Sequence, residues 1–257
     1  MEIKRLPAFS TNYIFLLHDP QTNQAAVVDP GESQSVIECL DKLEAKLVAI
    51  FNTHHHSDHI GGNKALIQKF PNLIVYGGSK DKGRIPGQQV YLKEGDQVEF
   101  AGNIAEIYFL PGHTFAHIAY YFSPNSSEEI GDLFCGDTLF AGGCGRLFEG
   151  TPSQMVQSLT KLRNLPDNTR VWCAHEYTLN NLQFALTVDP NNLDLQTRYH
   201  QVEKNRYLGK ATVPSLLGEE KKTNPFLRWD QPILQAVLGI NNPVRLFGKL
   251  RKMKDDF

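Results

Sequence analysis

Net charge is almost absent from this chain of 257 residues: 28 Asp and Glu stand against 26 Lys and Arg, a formal charge of -2. Without an excess of basic residues there is no electrostatic footprint for nucleic acid or for an anionic membrane surface. Long apolar runs are missing too, so nothing reads as a membrane span. The first residues, Met1-Glu2-Ile3-Lys4-Arg5-Leu6-Pro7, have neither the apolar core of a signal peptide nor the Arg/Ser-rich character of a transit peptide. These absences predict a cytoplasmic protein with no nucleic-acid and no membrane partner. Cysteine is sparse: Cys39, Cys135, Cys144 and Cys173 are scattered, with no C-x-x-C pair and no disulfide framework. Reduced thiols in the core or in loops are expected, none of them marked as a nucleophile by a partnering base. Internal repeats and low-complexity tracts are absent as well. What remains, 41% apolar and 21% charged residues, is ordinary globular composition, and the length suffices for one large domain or a domain with an appendage.

Histidine is where the chain is unusual. Thr53-His54-His55-His56-Ser57-Asp58-His59-Ile60-Gly61-Gly62 sets imidazoles and a carboxylate in an H-x-H-x-D-H spacing directly after the apolar run Leu47-Val48-Ala49-Ile50-Phe51. Such a run reads as a buried strand. In an extended segment alternate residues share a face, so His54 and His56 are expected to converge while His55 points elsewhere. A turn after Ser57 then brings Asp58 and His59 to the start of a helix running through Leu66, Ile67 and Phe70. Imidazole and carboxylate donors suit zinc or iron, with manganese admitted where oxygen ligands are added. A His-rich surface loop is the plain alternative, but imidazoles crowded beside a carboxylate are costly without a cation to take up their lone pairs.

Along the chain, residues 13–17 and 25–28 read as a hairpin ending at Asp29-Pro30-Gly31, and Ser33 as the cap of a helix with apolar positions Val36, Ile37, Leu40 and Leu43. After the His-rich segment come a helix from about 60 to 70, a short strand at 74–76 and a Gly-rich loop over 77–89. From 90 to 140 the pattern is β, with turns at Gly95-Asp96 and Ser123-Pro124-Asn125. Strand-like runs end in polar candidates: Leu110 leads to Gly112-His113, Cys135 to Gly136-Asp137, and Val171-Trp172-Cys173-Ala174 to His175. Two mostly β halves with helices outside imply a sandwich whose strand ends share a cleft. Beyond His175 the segments 177–188, 191–207, 215–222, 231–239 and 243–254 read as helices, punctuated by Pro190, Pro214, Pro225, Pro232 and Pro243. A domain boundary near 175 is expected, with a helical domain behind it.

His54, His56, Asp58, His59, His113, Asp137 and His175 make seven candidate ligands, too many for one tetrahedral ion. Two divalent ions sharing the Asp137 carboxylate use them all: three His on one ion, Asp58 with two His on the other. A hydroxide between two such ions is a nucleophile at neutral pH, which makes Asp58 and Asp137 catalytic through the metals. The metals alone leave ester, thioester, amide and phosphate hydrolysis open.

The H-x-H-x-D-H segment, followed in order by Gly112-His113, Gly136-Asp137 and His175, resembles the metallo-β-lactamase superfamily. Longer strings, Gly143-Cys144-Gly145-Arg146-Leu147-Phe148-Glu149-Gly150, Ala174-His175-Glu176-Tyr177-Thr178, Thr223-Asn224-Pro225-Phe226-Leu227-Arg228 and the tail from Leu250 to Phe257, resemble glyoxalase II, the hydroxyacylglutathione hydrolases. This resemblance covers essentially the whole chain. It implies an α/β fold, an αββα metallo-β-lactamase-like sandwich over 1–175, with a smaller all-α glutathione-binding domain over 176–257. It implies that His54, His56 and His113 hold a first metal, Asp58, His59 and His175 a second, and that Asp137 is shared. Zinc is the first expectation for both ions, with iron or manganese as alternatives. For glutathione the matching positions are Arg146, Phe148, Tyr177, Arg251 and Lys254, with Arg146 where the family often has Lys and Phe148 where some members have Tyr. The implied reaction is cleavage of S-lactoylglutathione, an S-2-hydroxyacylglutathione, to glutathione and D-lactate in methylglyoxal detoxification, by a monomer acting on a small molecule. A lactonase or β-lactamase of the same fold would not need the cationic tail, and a nucleic-acid-processing protein would want a basic stripe. His117 is expected to support the His113 loop, His55 to lie behind the ligands, and Asp29 to orient a ligand imidazole; His18 and His200 carry no special expectation.

Overall fold

The computed structural model describes residues 1–124 and 130–257, so Asn125 of the expected turn lies outside the described residues. Two compact units are present. The first holds Met1–Phe109, the described part of 116–129, and Leu133–Gly136; the second holds Leu110–Phe115, Ile130–Asp132 and Asp137–Phe257.

In the first unit a six-stranded sheet runs in the order β1 (Glu2–Ala8), β2 (Asn12–Asp19), β3 (Gln24–Val28), β4 (Lys46–Phe51), β5 (Ile74–Gly78), β6 (Gln88–Leu92). Strands β1, β2 and β3 pair antiparallel through tight turns, whereas β3/β4, β4/β5 and β5/β6 are parallel. Parallel neighbours need a crossover. Helix α1 (Gln34–Leu43) supplies one, and the short helices α2 (Ser57–Ile60) and α3 (Asn63–Lys69) supply the next. Val36 and Leu40 of α1 and Leu66 of α3 pack with Ile14, Leu16, Val27, Ile50 and Val75 of the sheet, which is why β2 and β3 read as unbroken apolar runs. Strands β7 (Gln97–Phe100), β8 (Asn103–Phe109), β9 (Ile118–Phe122) and β10 (Asp132–Gly136, all but its first residue in this unit) lie side by side in the order β10-β9-β8-β7. Aromatic rings fill the layer between these strands and the six-stranded sheet: Phe51 meets Tyr120 at 5.2 Å and Phe100 at 6.5 Å, and Phe15 meets Phe134 at 5.6 Å.

In the second unit, β11 (Leu139–Phe140) and β12 (Gly143–Cys144) form a minimal hairpin, followed by α4 (Pro152–Arg163) and β13 (Arg170–Cys173). Thr151 and Gln154 close a capping box on α4 with Pro152 in its first turn. Then come α5 (Thr178–Val188), α6 (Leu193–Tyr207), β14 (Ser215–Leu216, antiparallel to β13), α7 (Leu217–Thr223), a 3-10 turn Pro225–Leu227, α8 (Pro232–Leu238) and α9 (Pro243–Asp256). Helices α5 and α6 bury Leu182, Ala185, Leu195 and Val202 against each other. Phe226 stacks on Phe184 at 5.9 Å and meets Phe247 of α9 at 5.8 Å, joining the later helices to α5. The chain is thus mixed α/β with a helical C-terminal region.

Several local expectations change. Glu2–Ala8 is a strand that no apolar run announced. The helix expected over 60–70 is two helices broken at Gly61-Gly62. Ser33 sits at the N-cap of α1 without capping it; the carboxylate of Glu32 accepts instead from the backbone N–H of Ser35 at 3.1 Å. Ser215–Leu216 is a strand rather than the first turn of a helix.

Candidate active site

The candidate ligands follow strand ends, where open α/β sheets collect their sites. In the first unit β3 ends at Asp29 and β4 leads, one loop later, to His54 and His56, while Asp58 and His59 sit in α2. The rings of His54 and His56 are 4.7 Å apart and those of His54 and His59 4.1 Å apart. Asp29 is the hub of this cluster. It accepts from the Thr53 backbone N–H at 2.8 Å, from the Thr53 hydroxyl at 2.6 Å and from His59 Nδ1 at 3.0 Å. Because the Thr53 hydroxyl spends its proton on Asp29, it accepts from His54 Nδ1 at 3.0 Å. Both rings therefore carry their proton on Nδ1 and present the Nε2 lone pair, the tautomer a cation requires. Asp29 has a φ of 49°, a left-handed conformation that Asp and Asn adopt more readily than most side chains. Asp58 is held by Asn12 of β2, whose Nδ2 donates to its carboxylate at 2.9 Å. Gly31 is indispensable beside it: a Cβ there would come within 2.0 Å of the Asp58 carbonyl oxygen. His55 turns to Asp81 at 3.3 Å, and His117 stacks on His54 at 4.7 Å.

In the second unit Asp137 sits with His113 Nε2 3.4 Å from one carboxylate oxygen and His175 Nε2 3.4 Å from the other. His113 Nδ1 donates to the carbonyl of Arg146 at 2.9 Å, so its Nε2 also carries the lone pair. Two donors at about 2.0–2.1 Å from one tetrahedral ion stand about 3.3 Å apart, so these separations fit a shared cation on either side of the carboxylate. The donor set suits a divalent ion: buried imidazoles with fixed tautomers and a buried carboxylate. Gly145 is required here, since its Cβ would fall 2.0 Å from the Asp137 carbonyl oxygen and 2.9 Å from His113 Nδ1.

Adjoining these donors, the second unit holds a cavity of about 540 Å³ lined by His113 and Asp137 and by all five remaining candidates, Arg146, Phe148, Tyr177, Arg251 and Lys254. Tyr177 lies flat on His175, with ring centres 4.7 Å apart and planes 3° apart, and Phe140 closes on both edge-on. Phe148 is 63% exposed and meets His113 edge-on at 5.3 Å. Arg251 is buried, donates from Nη1 to the Cys144 carbonyl at 2.7 Å and lies over Phe226. Lys254 donates to the Asn180 carbonyl at 3.2 Å. Its pKa is pushed down to about 8, first by burial and then by Arg251 and Arg146, with Asp255 pulling the other way.

Comparison with known proteins agrees with the fold. Residues 6–175 match the metallo-beta-lactamase superfamily and residues 176–257 match the hydroxyacylglutathione hydrolase C-terminus. A protein of Crocosphaera subtropica named hydroxyacylglutathione hydrolase is 71% identical, and one of Rippkaea orientalis with the same name 72% identical, each over the full length of both chains. The chain belongs to the hydroxyacylglutathione hydrolase family. Solved structures with the same fold include ETHE1 from Myxococcus xanthus, with a TM-score of 0.65 at 25% identity, covering 96% of this chain and 95% of that one. A metallo-beta-lactamase from Staphylococcus aureus follows the fold over 99% of this chain and 70% of its own, with a TM-score of 0.68 at 20% identity.

Within this hydroxyacylglutathione hydrolase family member, the sequence left several site residues unmarked. Asn12 and Thr53 act through side-chain hydrogen bonds, which no motif announces. Phe140, Asn180 and Asp255 line the cavity. Asp255 was discoverable only as the neighbour of Lys254 in the tail. No helix among the described residues is long and apolar enough to cross a membrane.

Proposed function

We propose that this chain is a dinuclear metal-dependent thioester hydrolase that cleaves S-lactoylglutathione and related S-2-hydroxyacylglutathiones to glutathione and the 2-hydroxy acid, D-lactate in the first case. The observation that carries the reading is the cavity in which His113 and Asp137 stand with Arg146, Tyr177, Arg251 and Lys254, metal-type donors and carboxylate-binding cations within reach of one small molecule. Full-length identity to proteins of that name supports it. His54, His56 and His113 would hold one ion, Asp58, His59 and His175 the other, and Asp137 both, with zinc the favoured metal and iron or manganese the alternatives. When bound, the ions supply a water made nucleophilic near neutral pH and a Lewis acid for the thioester carbonyl.

The chain's own residues do the rest. Asp29, through Thr53 and His59, keeps imidazole lone pairs aimed; Arg146 O does the same for His113. Asp58 and Asp137 contribute negative charge that would offset part of the charge of the cations. Arg251 and Lys254 bind the substrate's carboxylates at a distance from the reacting carbon, and binding energy collected there holds the thioester in place. Tyr177 and Phe148 offer flat apolar surface to the thioester side of the ligand. We assign a catalytic domain to residues 1–175 and a helical glutathione-binding domain to 176–257, with Arg146 and Phe148 as glutathione contacts that precede the boundary, and expect a cytoplasmic monomer.

The test is a comparison of S-lactoylglutathione with a lactone, a β-lactam and a phosphodiester on metal-replete protein. A preference for the glutathione thioester that Arg251→Ala erodes is expected. Faster turnover of any of the other three would overturn the reading.

A further inference from the structure

The carboxylate of Asp255 stands among the cations of the cavity. Its Oδ1 lies 3.2 Å from Arg146 Nε, 3.2 Å from Arg251 Nε and 3.0 Å from Arg251 Nη2. Two guanidinium groups thus converge on one carboxylate oxygen, the same chemistry by which they would grip a ligand. Nothing local asks for an acid at this position. Helix α9 ends at Asp256, so Asp255 is in its last turn and faces the negative end of the helix dipole. The pair with Arg251 is also in the less favourable order, cation four residues before the acid. The acid's side chain is 37% exposed, and ion pairs that wet are weak. Weakness is what a displaceable partner needs.

We propose that Asp255 is an internal counter-ion of the substrate site: it occupies Arg146 and Arg251, and a carboxylate of the incoming glutathione moiety displaces it. This rests on the reading of the cavity as the glutathione site. Binding then exchanges one carboxylate for another on the same cations, so the net ionic gain is small and the product glutathione, which carries the same carboxylates as the substrate, is not retained. Asp255 sets that balance without touching the reacting atoms.

The experiment measures competitive inhibition by glutathione and S-methylglutathione on the full-length, metal-loaded protein at pH 6.5, where Lys254 keeps its charge in every variant. Asp255→Asn and Asp255→Ala remove the competing charge in two different shapes, and Asp255→Glu keeps it. Both neutral variants should lower Ki roughly two- to fivefold, the range expected for losing one exposed ion pair. KM for the glutathione thioester should fall with it, KM for a small thioester lacking carboxylates should stay, and Asp255→Glu should remain near the parent. A merely structural role would raise Ki or alter both substrates alike. Unchanged or raised Ki in both folded neutral variants overturns the proposal. Arg251→Ala separates the two ideas: if it leaves Ki unchanged the glutathione reading itself is wrong, whereas if it raises Ki while the neutral Asp255 variants do not lower it, only the counter-ion role falls.

Discussion

Lys254 should make substrate affinity depend on pH in a window where an ordinary lysine would not. Its pKa in the ligand-free protein is about 8 instead of 10.5, because burial and the guanidinium groups of Arg251 and Arg146 all disfavour the ammonium. Below pH 8 the ammonium is present and can meet a carboxylate. Above pH 8 the unliganded lysine is neutral, and binding must first reload the proton. A charged hydrogen bond is worth about 1 to 3 kcal/mol, roughly 5- to 150-fold in affinity. KM for the glutathione thioester is therefore expected to be flat up to about pH 7.5 and to rise at least about fivefold by pH 9.5, with kcat much less affected, because the contact is remote from the thioester. Lys254→Met should raise KM at every pH and remove the dependence. Lys254→Arg keeps its charge throughout, so it should remove the dependence without the rise, and any slope it retains belongs to the ligand's own amine. For stability the sign is opposite to a salt-bridged lysine: a folded pKa below the unfolded one makes the charge a cost below pH 8, and the cost lifts as pH rises from 8 to 10.5. A KM that does not change between pH 7 and 9.5 in the parent, or that changes equally in Lys254→Arg, would refute the reasoning.

Three further outcomes are expected. Asp137→Ala should lower bound metal from two ions per chain, measured by elemental analysis of metal-replete protein, and abolish turnover, because it removes a charge and both contacts to His113 and His175; retention of two ions would count against a shared carboxylate. Asp29→Asn keeps a residue that tolerates the left-handed backbone but loses an acceptor for Thr53 and His59, so metal affinity should fall about 10- to 100-fold in competition with a chelator while the melting temperature moves little. A chain cut after Tyr177 should fail to fold its remaining second-unit segments, since α4 buries Met155, Leu159 and Leu162 in a unit completed by the later helices; backbone amides of α4 protected from hydrogen exchange as in the full chain would contradict that.

What could be read from the chain, and what could not, divides by the reach of the interactions. His54, His56, Asp58, His59, His113, Asp137 and His175 stand out because they follow closely on apolar strand-like runs and are of residue types that cost energy to bury, and both signals are local. Strand β1 escaped because it is an edge strand: half-covered, it needs no apolar run, and it accepts Pro7 where a central strand would not. The break at Gly61-Gly62 escaped for another reason. A Cβ on Gly61 would stand 2.3 Å from the Gly31 carbonyl oxygen, and one on Gly62 2.6 Å from that of Glu32, so a contact some thirty residues away, not helix propensity, decides where α2 stops. The same holds for the groups that tune the site. Asp29 reaches Thr53 and His59, and Asn12 reaches Asp58, across turns and strands that no periodicity encodes. Asp255 is the subtlest case, since an acid among Arg251, Lys252 and Lys254 on a helix is what any solvated face looks like; only the second guanidinium, brought by Arg146 from over a hundred residues earlier, turns it into part of the cavity. A residue whose role is its own chemistry is legible in one dimension, whereas a residue whose role is to orient or neutralise another becomes legible only once its partner has been placed beside it.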